Sequence, residues 1–244
     1  MTISLLGRRL AFSVGALGAY VLAMAILCCL GFWQLDRAEQ KRQLLLQQQA
    51  GMTGEALDMN RIETVDVDAV KYRPVKMVGH YDAEHQFLID NQISEGKSGY
   101  WVLTPFIIDG GQKAILVNRG WIALGEDRSR LPELPVANEH RHVSGRLNSF
   151  PSVGLKLRGA EIPAAGWPSV VQLVDSRLLS EKLGYALHDF QIELDAGLAD
   201  GYKRQWKIAV PIPPEKHLAY AVQWFGLALT LTALFVWISL KKSQ

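Results

Sequence analysis

Two long runs without charged side chains lie near the two ends of the chain, and nearly all charged positions fall between them. The runs cover residues 10–33 and 218–240. At about 1.5 Å of rise per residue, each reaches about 35 Å as a helix, enough to cross a hydrocarbon core of about 30 Å. The first run is also too long for a cleaved signal peptide. The pattern predicts transmembrane helices at 10–33 and 217–240, with an extramembrane domain at 34–216.

The domain between the runs has the alternating pattern of a sheet, apart from the start, where the first helix continues until Gly51 and Gly54 stop it. Asp109-Gly110-Gly111-Gln112 predicts a hairpin. Asp175 predicts the cap of a short helix that Gly184 ends. Strands are expected at residues 72–81, 86–90, 100–108, 114–123, 142–148, 170–173, 190–194 and 205–210. The predicted fold class is therefore a membrane α+β protein, in which two transmembrane helices flank a mainly antiparallel β domain, built as a small barrel or sandwich.

The charges outside the domain predict its orientation. Arg8 and Arg9 precede the first run, and Lys241 and Lys242 follow the second. Short segments with only positive charge stay in the cytoplasm, whereas a long loop is translocated largely regardless of its charge. We expect cytoplasmic tails at 1–9 and 241–244, a periplasmic domain and a bacterial inner membrane. The excess of basic residues reflects this topology, so nucleic acid is not an expected partner.

Small residues recur every four positions along the first run and on one side of the second run. Such a row lets another helix approach closely, which favours association in lipid. We expect these residues to contact either the other span or a helix of a partner. They are Ala11, Gly15, Ala19 and Ala23 in the first run, and Gly226, Thr230 and Ala233 in the second.

His217, Tyr220 and Trp224 lie at i, i+3 and i+7 at the start of the second span. This spacing places them on one helix face at the outer membrane boundary. Tyr and Trp are common anchors at that depth and need no ligand. A neutral imidazole is also a frequent ligand of haem iron, along which aromatic rings could stack. Both interpretations are open from spacing alone.

Arg119, Gly120 and Trp121 lie within a predicted apolar strand, with Arg119 in its middle. A buried arginine is costly unless it is paired. We expect a structural salt bridge to a carboxylate such as Asp90 or Glu193, with contact to a partner or to a haem propionate as the alternative. Gly120 predicts a close backbone approach or a bulge.

No motif for catalysis or metal binding is found. His80 and His85 flank a predicted turn, where they are expected to point to solvent. The two cysteines, Cys28 and Cys29, are adjacent on the first span and are expected to be packing residues. The chain has neither G-x-S-x-G nor H-E-x-x-H. The sequence therefore does not favour an enzyme.

Four segments occur in a particular order between and beside the spans: GFWQLDR at 31–37, GYWVLTP at 99–105, VNRGWI at 117–122 and HLAYAVQWFG at 217–226. With two flanking spans, they resemble the surfeit-locus-one family of cytochrome c oxidase assembly factors over nearly the whole chain. The most specific elements are the V-N-R-G-W segment and the segment that starts at His217.

This resemblance implies a non-enzymatic, membrane-anchored assembly factor that assists insertion of haem a into the large subunit of a haem-copper oxidase. It implies that His217 is the axial ligand of a transiently held haem a, with Tyr220 and Trp224 beside it. An intramembrane site suits haem a because of its long apolar farnesyl tail. Haem a synthase and a second copy of the chain are further candidate partners. An accessory oxidase subunit without a cofactor and a tethered periplasmic enzyme are the alternatives.

Overall fold

A computed structural model describes residues 2–5, 8–11, 13–125, 127, 130–151, 158–206 and 212–241, with the backbone alone at 2–5, 8–11 and 241. In chain order, the elements are β1 Thr2–Leu5, β2 Arg8–Ala11, α1 Val14–Met52, β3 Leu57–Asp58, a 3-10 turn Met59–Arg61, α2 Val67–Val70, β4 Pro74–Tyr81, β5 Phe87–Ser94, β6 Lys97–Ile108, β7 Ala114–Ala123, β8 Arg141–Asn148, β9 Ser169–Val171, α3 Ser176–Leu183, β10 Leu187–Leu194 and α4 Pro214–Lys241.

The chain divides into two units. A helical unit is formed by Met1–Gln47 and Ile208–Gln244, and a β unit by Gln48–Lys207. In the part of the chain that the structure describes, two helices, α1 and α4, are long and apolar enough to cross a membrane by length and composition. The predicted architecture of two apolar terminal helices that flank a β domain is therefore confirmed.

Helix α1 begins at Val14, four residues after the predicted start of the first span. Ser13 supplies the reason. Its side-chain oxygen accepts a hydrogen bond from the backbone N–H of Ala16 at 3.1 Å, the bond of an N-cap residue to the third helical position. The uncharged run thus includes the end of β2 and a cap. The helix ends at Met52, as the glycines predicted.

Five strands of the β unit close into a ring. β4 pairs with β8, β8 with β10, β10 with β7, β7 with β6, and β6 pairs back with β4. All of these pairs are antiparallel except β10 with β7. β5 and β9 extend the sheet beyond β6, and β3 adds a short parallel edge to β4. Of the two predicted forms, a small barrel and a sandwich, the structure has the barrel. Its strand pairing is mainly antiparallel.

Most of the predicted elements match the observed ones. β7 has the predicted bounds, and β6 and β7 form the predicted hairpin. The side chain of Asp175 caps α3, and Gly184 ends it with a φ of 80°. Of the strand predicted at 205–210, residues 207–210 lie outside the described residues. Gln205 and Trp206 belong to no strand there.

β7 explains how the core is built on both sides of one strand. Ile115 and Val117 point into a cluster inside the barrel, whereas Leu116 packs in a second cluster with Leu179 of α3. Successive side chains of a strand point to opposite faces, so a strand buried on both faces needs an unbroken apolar run. By the same alternation, Arg119 follows Ile115 and Val117 on the barrel interior.

Candidate functional site

His217 lies in the first turns of α4 and faces α1. Its side chain is 8% exposed. Nδ1 of the imidazole is 2.7 Å from Oε1 of Gln34, which is part of the GFWQLDR segment at the end of the first apolar run. Two of the four segments that carry the family resemblance therefore meet in one hydrogen bond.

The two helices of this unit pack antiparallel through aromatic side chains. Phe225 lies against Gly31, where a Cβ atom would come within 2.6 Å of its ring. Tyr20 stacks on Phe235 with 4.3 Å between ring centroids, and its hydroxyl is 3.1 Å from Thr232 Oγ1. The positions with reduced exposure recur every three or four residues, as in a coiled-coil seam. They include Tyr20, Met24, Leu27, Gly31, Gln34 and Ala38 in α1, and Pro214, His217, Ala221, Trp224, Ala228, Phe235 and Ser239 in α4.

The contacts between α1 and α4 differ from the predicted packing of small residues. A Cβ atom at Gly15 or Gly226 would meet nothing within 4 Å. Ala19, Thr230 and Ala233 are also exposed, and the side chain of Ala11 lies outside the described residues. Contact between the two spans through these exposed positions is therefore wrong, because the interdigitating rings need room at Gly31 instead. Ala23 of the predicted stripe is partly buried. Contact with a partner's helix stays a prediction.

Trp224 and Tyr220 differ in their surroundings. Trp224 is partly buried in the seam, and its Nε1 is a buried donor without a partner among the described residues. The Tyr220 side chain is 48% exposed. His217 and Trp224 thus point into the helix pair, whereas Tyr220 lies at its edge.

These residues fit a haem ligand in one specific respect. A neutral imidazole that donates from Nδ1 to an amide oxygen keeps its lone pair on Nε2, the arrangement of metal-bound histidines. The unpartnered N–H of Trp224, seven residues further along the same helix, is a second polar group that an acceptor could satisfy. The roles of His217, Tyr220 and Trp224 in binding haem stay predictions.

Arg119 belongs to the β unit and is almost fully buried, with 2% of its surface exposed. Its Nη1 donates to Gln86 Oε1 at 2.9 Å, and its Nε and Nη2 donate to the backbone carbonyls of Asp200 and Pro135, each at 2.7 Å. The guanidinium also lies over the ring of Tyr202, 5.1 Å from its centroid. Arg119 therefore fastens two loops to the end of the barrel.

The predicted salt bridge between Arg119 and a carboxylate such as Asp90 or Glu193 is wrong. Glu193 bonds to Arg146 and to Asn148 instead. Among the contacts of the described residues, neither Glu193 nor Asp90 forms an ion pair with Arg119. Burial lowers the pKa of Arg119, while Tyr202, Tyr81 and the carboxylate of Asp200 oppose the shift. Neutral oxygens satisfy the guanidinium because two loops turn their carbonyls toward it.

Gly120 has a φ of 109°, and a Cβ atom there would lie 2.7 Å from the carbonyl oxygen of Lys203. Trp121 exchanges two backbone hydrogen bonds with Lys203, at 2.8 and 3.1 Å. The predicted close backbone approach is therefore confirmed. The indole N–H of Trp121 donates to the carbonyl of Gln92 at 2.9 Å, so its polar end is occupied within the domain.

Two histidines of the β unit, His85 and His140, contact carboxylates. His85 Nδ1 is 2.8 Å from Asp82 Oδ2, which also accepts a hydrogen bond from the Tyr185 hydroxyl at 2.7 Å. His140 contacts Asp109. Over the described residues, no group of three or more His, Cys, Asp or Glu side chains could hold a metal ion.

Sequence reasoning gave no role to Gln34 or Gln86, although both bond to a predicted site residue. For Gln34 a signal existed. An amide directly after the first apolar run is at the depth of His217, which directly precedes the second run. Gln86 precedes β5, and no local pattern connects it with Arg119.

Comparison with known proteins places these residues in a family context. The model of the SURF1 family matches residues 21–229. A SURF1-like protein of Rickettsia felis is 29% identical over 229 residues, covering 88% of this chain and 93% of that protein. A SURF1-like protein of Rickettsia bellii is 30% identical over 226 residues, covering 88% and 87%. The cytochrome oxidase assembly protein SHY1 of Saccharomyces cerevisiae is 30% identical over 95 residues, covering 38% and 24%.

Proposed function

We propose that this chain, which belongs to the SURF1 family, is a membrane-anchored assembly factor for cytochrome c oxidase that assists insertion of haem a into the large oxidase subunit. The name of the yeast relative supports an assembly role. The two apolar helices support anchoring in a membrane. The assisting role requires no chemical change in the haem, so the protein acts as a carrier and not as an enzyme.

One observation supports the haem part of the proposal most directly. His217 is buried between two apolar helices and bonds through Nδ1 to Gln34, which leaves Nε2 for an iron atom. A buried imidazole with one nitrogen bonded to an outer partner is suited to act as an axial ligand through the other nitrogen. A site in the seam of a helix pair is accessible from lipid, where a molecule with a long apolar tail travels.

Three residues of the helix pair hold the haem in this proposal, each through a different contact. His217 holds the iron through Nε2 and gives it up when a ligand of the large subunit replaces the imidazole. Trp224 donates its unpartnered N–H to a polar group of the cargo. Tyr220, exposed at the edge of the seam, covers the apolar ring with its own. Haem a synthase is the proposed source, and a single protein nitrogen on the iron favours release.

A visible spectrum and an oxidase assay test this function. The wild-type chain, purified from membranes that make haem a, should carry a Soret band, and cells lacking the chain should show reduced haem a in their oxidase. His217→Ala should lose the band while it remains inserted, because the span keeps its apolar length. His142→Ala is the matched control, since His142 is exposed on β8.

The outcomes separate the alternatives. A wild-type chain that restores oxidase but never binds haem acts as an accessory protein without a cofactor. An unchanged spectrum in His217→Ala contradicts the ligand role and leaves the assembly role intact. A tethered enzyme would instead show turnover of a substrate that does not depend on the oxidase.

The proposed location is the bacterial inner membrane, with both termini in the cytoplasm and the β unit in the periplasm. The positive charges outside the two apolar runs support this orientation. Alkaline phosphatase fused after Gly120 should be active, and the same fusion after Gln244 should be inactive. An inactive fusion at Gly120 beside an active one at Gln244 would reverse the topology.

A further inference from the structure

We infer that Gln34 is a positioning residue for the haem ligand: its amide oxygen fixes the proton of His217 on Nδ1 and directs Nε2 toward the iron. The inference rests on the proposed function, in which His217 binds haem. It adds a residue of α1 to a site that the sequence predicted on the second span alone.

The chemistry of the contact determines which nitrogen is protonated. Oε1 of Gln34 can only accept a hydrogen bond, and it lies 2.7 Å from His217 Nδ1. At that distance Nδ1 must carry the proton, because two facing lone pairs would repel. A neutral imidazole with its proton on Nδ1 has its lone pair on Nε2. Gln34 therefore selects the tautomer in which Nε2 can bind iron.

Gln34 and His217 lie next to a tightly packed segment of the helix pair. Gly31, one turn before Gln34, lies in tight contact with Phe225. Phe225 also meets the ring of Phe32 edge to face, with 5.3 Å between centroids. Such packing limits sliding of one helix along the other, so the distance from Gln34 to His217 is held by the backbone. Ligands placed on rigid helices with a bonded outer partner are well oriented.

A simpler role for Gln34 is to join the two helices without any effect on a ligand. Hydrogen bonds between membrane helices have this effect in general. The two roles predict different results. A joining residue changes only the stability of the helix pair, whereas a positioning residue also changes the tautomer of His217, the affinity for haem and the reduction potential of its iron.

The tautomer is measured first, on the full-length protein in detergent without haem. Two-bond ¹⁵N–¹H correlation spectra of protein labelled at histidine distinguish Nδ1–H from Nε2–H, and His217→Ala assigns the signal. We expect Nδ1–H in the wild type. Gln34→Leu should lose the Nδ1–H signal. Gln40→Leu should keep it, because Gln40 is exposed on the same helix and bonds to Asp36.

Binding is then measured by titration with ferric haem. Loss of an outer-shell partner typically weakens metal affinity about 10–100-fold, so Gln34→Leu should bind haem at least about 10-fold more weakly than the wild type. Gln40→Leu should match the wild type. Gln34→Glu should retain binding and lower the reduction potential of the iron, since a carboxylate makes the bonded imidazole more basic.

The results distinguish failure of this inference from failure of the proposed function. If the wild type binds haem and Gln34→Leu binds it with the same affinity and spectrum, the positioning role is overturned while the haem role stands. If the wild type binds no haem, the proposed function fails, and the role of Gln34 fails with it. Should Gln34→Leu not fold, as judged by helical circular dichroism, an unchanged potential in Gln34→Glu still overturns the inference.

Discussion

Arg119 and Gln86 meet inside the barrel although they are 33 positions apart in sequence, with Arg119 Nη1 2.9 Å from Gln86 Oε1. The same oxygen accepts a hydrogen bond from the Thr104 hydroxyl at 2.8 Å. The amide nitrogen of Gln86 donates to the carbonyls of Ala83 and Leu134, at 2.9 and 2.7 Å. The polar groups of Gln86 are thus fully used, and its network connects two strands with two loops.

Arg119→Met should destabilise the folded β unit strongly. The substitution leaves two backbone carbonyls without their side-chain donor and leaves Gln86 Oε1 with Thr104 as its remaining donor. Each buried acceptor that loses its donor costs about 1–3 kcal/mol. We expect a loss of about 3 kcal/mol in the free energy of unfolding, measured with urea in detergent. Arg130→Met is the matched control, because Arg130 is exposed and pairs loosely with Asp127 at 3.9 Å. Equal stability of the two variants would contradict the structural role of Arg119.

Gly120→Ala should cost more stability than Gly110→Ala. Both glycines have positive φ, which an alanine adopts at a cost of about 1 kcal/mol. Only at Gly120 would the new methyl group also collide with a backbone, that of Lys203. We expect a difference of about 1–3 kcal/mol between the two variants, from the usual cost of overpacking. Thermal unfolding of both proteins tests this, and a smaller effect at Gly120 would contradict the close approach.

Gly31→Leu should weaken the helix pair, whereas Gly15→Leu should not. A side chain at Gly31 would displace the Phe225 ring, and the space at Gly15 is open. Overpacking of this kind costs about 1–3 kcal/mol. The thermal stability of the detergent-solubilised protein, followed by helical circular dichroism, should fall only for Gly31→Leu. A loss of stability at Gly15 alone would indicate that the small-residue stripe is used after all.

Tyr185→Phe should reduce stability more at neutral pH than in acid. Burial would raise the pKa of Asp82, but hydrogen bonds from Tyr185 and His85 outweigh it and hold the pKa below its usual value. A carboxyl with a lowered folded pKa stabilises the fold above its unfolded pKa of about 3.9, and this contribution is lost as pH falls through the folded pKa.

We expect Tyr185→Phe to lower the free energy of unfolding by about 1 kcal/mol at pH 7, since the carboxylate of Asp82 is partly solvated. The loss should be clearly smaller at pH 3, because the carboxylate becomes protonated as the pH falls. Urea unfolding at both pH values measures the difference. The same substitution in an Asp82→Asn background should show no such pH dependence. An effect that grows in acid would reverse the sign and contradict the lowered pKa.

The sequence by itself determined the features that depend on neighbours along the chain. Length and the absence of charge defined the two apolar helices. A short apolar run after the turn signal at residues 109–112 defined β7 to the residue, and Asp175 and Gly184 defined both ends of α3. Each of these signals is local, since a cap, a turn or a face is set by residues a few positions apart.

Tertiary structure decided which distant groups meet. The return of β4 to β6 closes the barrel, and no local pattern reveals it. Arg119 is satisfied by the oxygens of distant loops, not by a carboxylate chosen for its charge. His217 meets Gln34, 183 positions away, because aromatic packing at Gly31 sets the register of the two helices. Periodicity fixes the face that a helix or strand buries, but the partner on that face depends on how all side chains fill the shared space.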